Sequence, residues 1–268
     1  MPYKEHPSAG ILPPDDTTIW RFMSLAKLLS LITTSTIYFS QLSALRKLDP
    51  YEGSQTLSTR AFYTMMQTNE TFARSFMGIS EDQPLPANYH DFFHLGQAKL
   101  LNDIHASTFY VNCWHISEHE SAFLWSVYSS LSDGVCVQSN IGRLKKCIDG
   151  AERDVSIGPV RYIDYVKDHI PSDNSFNVVY RKRKSFEAER ELRLSFLELL
   201  PGVGWGPSAL TQNPAGVALR CDLAALIDQI RLSPSAPDWY RATISAVVDR
   251  LGHKFPVLKS EISSPAIF

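Results

Sequence analysis

The segment EAERELRLSF, residues 187–196, alternates Glu189, Glu191 and Arg193 with Arg190, Leu192, Leu194 and Phe196. Residues two apart share a face on a strand but diverge on a helix. The alternation therefore predicts a strand with Glu189, Glu191 and Arg193 on one side and Leu192, Leu194 and Phe196 against the core. The charged side then borders either solvent, as a face of cross-strand ion pairs, or a polar pocket.

Both helical and strand patterns flank this segment. TTIWRFM reads as a short strand carrying Arg21. Ser24 is placed to cap a helix over LAKLLSLITTS, and TIYFS follows as a second strand ending in Tyr38 and Ser40. LDPYEGS (48–54) reads as a turn with a charged tip, and residues 56–106 as mostly helical around a loop at EDQPLPANY. TFYVNCW is a predicted strand. SEHESAFLWSVYSSL is a predicted helix opened by a capping box from Ser117 to Glu120, with apolar positions at Phe123, Leu124, Val127 and Leu131. GVCVQS, IGPVRYIDYV, GVALRCD and FPVLKS read as strands, and IGRLKKCI, LAALIDQI and APDWYRATISAVVDRLG as helices. Strands and helices do not alternate regularly, which predicts one α+β domain over 17–268 with a central mixed sheet flanked by helices. Pro13-Pro14-Asp15-Asp16 ends a flexible lead-in at 1–16.

The chain of 268 residues is 44% hydrophobic and 11% aromatic, enough to bury a substantial core. Lys plus Arg (26) nearly balances Asp plus Glu (28), so nothing in the net charge of −2 draws the protein to nucleic acid or an anionic membrane. Cys113, Cys136, Cys147 and Cys221 form no C-x-x-C pair, which argues against a zinc ribbon or disulfide framework and fits a reducing cytoplasm. The N-terminus lacks a signal-peptide pattern. The most apolar stretch, LAKLLSLITTSTIYF, is interrupted by Lys27 and several hydroxyl residues, so no membrane partner is expected.

The segments IWRFMSLAKLLSLITTSTIYFSQLSAL, DPYEGS, YVNCWHISEHESAFLWSVYSSLSDGVCVQSNIGRLK, IGPVRYIDY and KRKSFEAERELR, in this order, resemble a largely bacterial domain-of-unknown-function family, number twenty-nine seventy-one. The resemblance spans Trp20 to Ser260. Its specific parts are Cys113, Trp114, Glu120, Trp125 and Tyr128, and the run Lys184, Phe186, Glu189, Glu191 and Arg193. Arg21 on a first strand, Tyr38 or Ser40 on a second after one helix, and the late Glu189-Arg190-Glu191 also resemble ADP-ribosyltransferase-like enzymes. That resemblance implies NAD as cofactor, a protein or nucleic-acid acceptor, and a role as a toxin or in phage defence.

Breaking the bond between nicotinamide and ribose builds positive charge on the sugar, which a nearby carboxylate stabilises. Glu191 is the candidate for that role, and Glu189 is the candidate on the acceptor side. Arg21 would grip phosphate or a ribose hydroxyl, Tyr38 or Ser40 would support the nicotinamide half, and Arg193 would orient the carboxylates. Trp114, Trp125 and Tyr128 would stack on a ring or belong to the core.

Competing readings exist. Arg21 would equally serve as a structural partner of Glu52. His90, Asp91 and His94, with Cys113, His115 and His119 downstream, suggest a metal-dependent hydrolase. YRKRKSF, with four bases from Arg181 to Lys184, is either a phosphate contact or a solvated helix face. No phosphate loop or nucleophile elbow is present, since PGVGWGPS lacks the following Lys-Ser/Thr. A non-catalytic module that binds nucleotide or protein would keep the same charged cleft.

Overall fold

A computed structural model describes residues 3–129, 133–199 and 209–266. Leu131 and the glycine-rich segment 201–208 lie outside the described residues. The elements in chain order are β1 (Thr18–Ser24), α1 (Leu25–Thr34), β2 (Thr36–Gln41), α2 (Leu57–Thr68), α3 (Glu70–Met77), α4 (Tyr89–Phe92) and α5 (Leu95–Thr108). Next come β3 (Phe109–Ile116), α6 (Ala122–Tyr128), β4 (Gly134–Asn140), α7 (Ile141–Cys147), β5 (Ser156–Pro159), β6 (Arg161–Ile163), β7 (Arg181–Arg183) and β8 (Glu191–Leu197). The chain continues through α8 (Ala209–Gln212), β9 (Gly216–Arg220), α9 (Leu223–Leu226), β10 (Gln229–Leu232), α10 (Asp238–Arg250) and β11 (Val257–Lys259).

Among the described residues, nine strands form one mixed sheet in the order β11-β10-β4-β1-β3-β2-β9, with β8 paired to β3 and β5 to β8. The predicted α+β class with a central mixed sheet flanked by helices is what the chain adopts. The β10–β11 pair is parallel and the other pairs of this sheet are antiparallel. On one face, Ile19, Met23, Trp114, Leu192, Leu194 and Phe196 pack with Leu28 of α1, Leu144 of α7 and Ile244 of α10 in the largest core. The opposite face carries two separate clusters. One gathers Phe109, Val111 and Tyr180, the other Trp20, Phe22, Leu124 and Trp125.

The sheet is split near its middle. β1 and β2 both pair with β3, but β1 does so only at His115 and Ile116, and β2 only at Tyr110 and Val111. Asn112, Cys113 and Trp114 thus have no strand partner on that edge. Asn112 fills part of the opening: its side chain donates to the Tyr38 carbonyl at 2.8 Å and accepts from Trp114 Nε1 at 2.8 Å.

Several local predictions are corrected. The strand containing the opening segment begins at Glu191, because Lys184–Glu189 forms a 3-10 helix closed by Arg190 at φ 39°. IGPVRYIDYV divides into β5 on the main sheet and β6, which pairs with β7. The basic run is therefore a strand and not a helix face, and Arg181 and Lys182 are buried. The capping box at Ser117 does not form. Ser121 caps α6 by accepting from Leu124 N, while Glu120 accepts from Trp125 Nε1 and from Glu261 N. LAALIDQI holds only the single turn of α9 before β10 begins. Residues of the lead-in lie against the body: Tyr3 bridges Val155, and Ala9 is buried against β5. No helix among the described residues is long and apolar enough to cross a membrane.

Candidate functional site

The split opens into a cavity of about 580 Å³. Arg21, Tyr38, Ser40, Trp114, Glu189 and Glu191 all line it, so these six sequence-predicted residues meet at one place. They do not meet on one face. The register pairs Trp20 with His115 and His115 with Glu191, which sets Trp20, Phe22, His115 and Glu191 on the face away from α1. Arg21 alternates with Trp20 and Phe22 and points to the α1 face, where its guanidinium lies 5.9 Å from the centre of the Trp114 ring. The cavity reaches both because β1 and β2 diverge.

At the far face, three carboxylates converge on two cations. Lys182 Nζ lies 2.5 Å from Glu189, 3.2 Å from Glu191 and 3.5 Å from Glu52. Arg193, fully buried, places Nε 2.7 Å from Glu191 Oε1 and Nη2 2.7 Å from Glu52 Oε1, and donates to the Val179 carbonyl. Tyr128 donates to Glu189 Oε1 at 2.7 Å, and the Glu189 carbonyl meets His115 Nδ1 at 2.6 Å. Although Glu189 precedes the strand, the 3-10 turn and the left-handed Arg190 return its carboxylate to the side of Glu191.

Burial opposes ionisation of Glu191, but Arg193 and Lys182 outweigh it and hold the carboxyl at about 2. For Glu52 burial prevails, helped by the charge of Glu191, and the value is raised despite Arg193. Glu52 is 1% exposed, and its Oε2 has no hydrogen-bond partner among the described residues. Burial raises the Tyr128 phenol, and the Glu189 carboxylate raises it further. Burial also lowers His115, which favours its neutral form.

Arg21 differs from these cations. Its guanidinium has no carboxylate partner among the described residues, and burial pulls its value down to about 10. It does not pair with Glu52, which is held by Arg193 and Lys182.

Arg193, a candidate both for orienting the carboxylates and for touching a cofactor, is absent from the cavity lining and pairs with Glu191 and Glu52. Trp114 lines the cavity while its Nε1 is held by Asn112. Trp125 is core, whereas Tyr128 belongs to the site. The metal reading fails on geometry: α4 ends at Phe92, and His94 caps α5 by accepting from Gly96 N, so the two histidines do not share a helix. No group of three metal-ligating side chains occurs among the described residues.

The residues missed from sequence are Lys182, Glu52, Tyr128 as a carboxylate partner, and Lys27 at the cavity wall. The apolar Val178-Val179-Tyr180 immediately before Arg181-Lys182 was the available sign of burial. No family model, curated protein or solved structure matches the chain.

Proposed function

We propose that the cavity binds a nucleotide, most concretely NAD, and that the protein is an ADP-ribosyltransferase-like enzyme. The supporting observation is the guanidinium of Arg21, which has no carboxylate partner among the described residues, in a cavity whose other end is acidic. A partly buried cation without a counter-ion is suited to an anion, and phosphate takes guanidinium in bidentate geometry. Lys27, also on the wall, adds a second positive charge on the α1 side. Glu189 and Glu191 face the sugar and the cationic nicotinamide ring.

In the reaction, the bond between C1′ of the ribose and the nicotinamide nitrogen breaks. The electron pair leaves with nicotinamide and neutralises its ring charge. Glu191, permanently ionised at neutral pH, stabilises the sugar cation until an acceptor or water adds at C1′ and loses a proton. Tyr128 and Lys182 hold Glu189, and Arg193 with Lys182 fixes the rotamer of Glu191.

Release of nicotinamide from NAD by the purified chain tests this reading. Activity is expected to fall at least about 100-fold in Glu191→Gln, in line with loss of one electrostatic stabiliser. In Arg21→Ala, NAD is expected to lose its thermal stabilisation of the protein. A native protein that neither binds NAD nor releases nicotinamide rejects the proposal. The close pairing of Glu189 and Glu191 with Lys182 favours one second reading, a binding module without chemistry. NAD binding without nicotinamide release would select it.

A further inference from the structure

We propose that the cavity is a passage through the sheet with two mouths, and that its ligand threads the gap between β1 and β2 with anionic and sugar portions on opposite faces. This rests on the nucleotide reading above. The backbone of β3 at Asn112 to Trp114 has no strand neighbour on that side. Residues of both faces line the same cavity: Lys27, Ser30 and Arg21 on the α1 side, and Leu48, Tyr128, Glu189 and Glu191 on the other. Each end also reaches the surface, since Lys27 and Ser30 are exposed on one side and Leu48 (68%) and Tyr128 (38%) on the other.

The charge follows the same division. The α1 end offers two cations with no ion pair among the described residues. The far end offers three carboxylates against two cations. An elongated molecule with a phosphate at one end and a hydroxyl-bearing cationic end at the other complements both. Asn112 keeps the gap from closing, because its amide occupies the Tyr38 carbonyl that a β3 backbone N–H would otherwise take.

Calorimetric titrations with NAD, inorganic pyrophosphate and nicotinamide riboside test the passage on the full chain. Pyrophosphate and nicotinamide riboside are expected to bind simultaneously, each affinity changing less than about twofold in the presence of the other, while NAD displaces both and binds more tightly than either. Arg21→Ala is expected to abolish pyrophosphate binding and leave nicotinamide riboside binding intact. Asn112→Phe, which plugs the gap, is expected to lose NAD but retain both fragments, with a thermal melt showing that the variant is folded.

Mutual exclusion of the two fragments by a protein that still binds NAD overturns the passage and leaves the nucleotide reading standing. Arg21→Ala weakening both fragments equally overturns it as well. Absence of NAD binding by the native protein overturns both.

Discussion

Lys182 is the residue on which the acidic end of the cavity depends. It reaches Glu52, Glu189 and Glu191 while only 6% exposed, so its loss leaves buried Glu52 and Glu191 sharing Arg193, and buried Glu189 with the Tyr128 hydroxyl but no cation among the described residues. Breaking a buried ion pair from one side typically costs about 3–5 kcal/mol. Lys182→Met is therefore expected to lower the denaturation midpoint in urea by that equivalent, and an unchanged midpoint would show the network to be energetically neutral. The carboxylates also set two opposed pH dependences. Glu191 titrates below its ordinary value of 4.5 in the folded chain, so its contribution is complete above 4.5 and is lost as pH falls toward about 2. Glu52 titrates above 4.5, so ionising it costs stability as pH rises past that value. Glu52→Gln leaves two carboxylates facing two cations. Its urea midpoint is expected to equal or exceed the native one at pH 7, with the difference shrinking toward pH 4. A midpoint below native at pH 7 would contradict this.

Among the elements, β2 and β9 show how closely the cavity rim is fitted. A Cβ on Gly216 would fall 2.0 Å from Tyr38 Oη and 2.8 Å from the Phe39 carbonyl, so the Tyr38 ring lies across β9 only because residue 216 has no side chain. Gly216→Ala is expected to swing Tyr38 away and destabilise by about 1–3 kcal/mol, the usual range for an overpacked contact. Its thermal melt would show the loss. The same strands explain what was legible in the sequence. β2 and β8 alternate polar with apolar residues and β1 is a run of large apolar residues interrupted by Arg21, so Arg21, Tyr38, Ser40 and Glu191 are assigned to strands. Because successive side chains of any strand point to opposite faces, Arg21 and Glu191 each have a face within their own strand, but which faces coincide depends on pairing partners distant in the chain. β7 was misread because a buried cation and a solvated one look alike in sequence, and only the converging carboxylates distinguish Lys182. β10 was missed because four residues following the apolar turn of α9 continue its pattern.

For the whole molecule, the helices from α2 to α5 form a unit beside the sheet. Met66, Ala73 and Tyr89 make a small core of their own, with Phe62, Phe72 and Phe93 around it. The unit joins the cavity through Arg46, which pairs with Asp103 of α5 at 2.5 Å and donates to the Glu52 carbonyl at 2.8 Å. A small core opens at lower free energy than a central strand. Native-state hydrogen exchange is expected to show α2 and α3 amides exchanging through openings well below those of β3 and β8, and equal protection would mean a single cooperative unit. Arg46→Ala is expected to speed exchange around Glu52 as well, because the same side chain ties both.

The strand pairing also constrains how the protein is made. β1 emerges from the ribosome well over a hundred residues before β8, which supplies Glu191 and pairs with the edge of β3 opposite to β1 and β2. Until then the edge of β3 from Phe109 to His115, which pairs with Leu197 to Glu191, has no strand partner. A translation product halted before residue 191 therefore has half a sheet and an exposed pairing edge, and it invites chaperone capture or self-association before any ligand can be held.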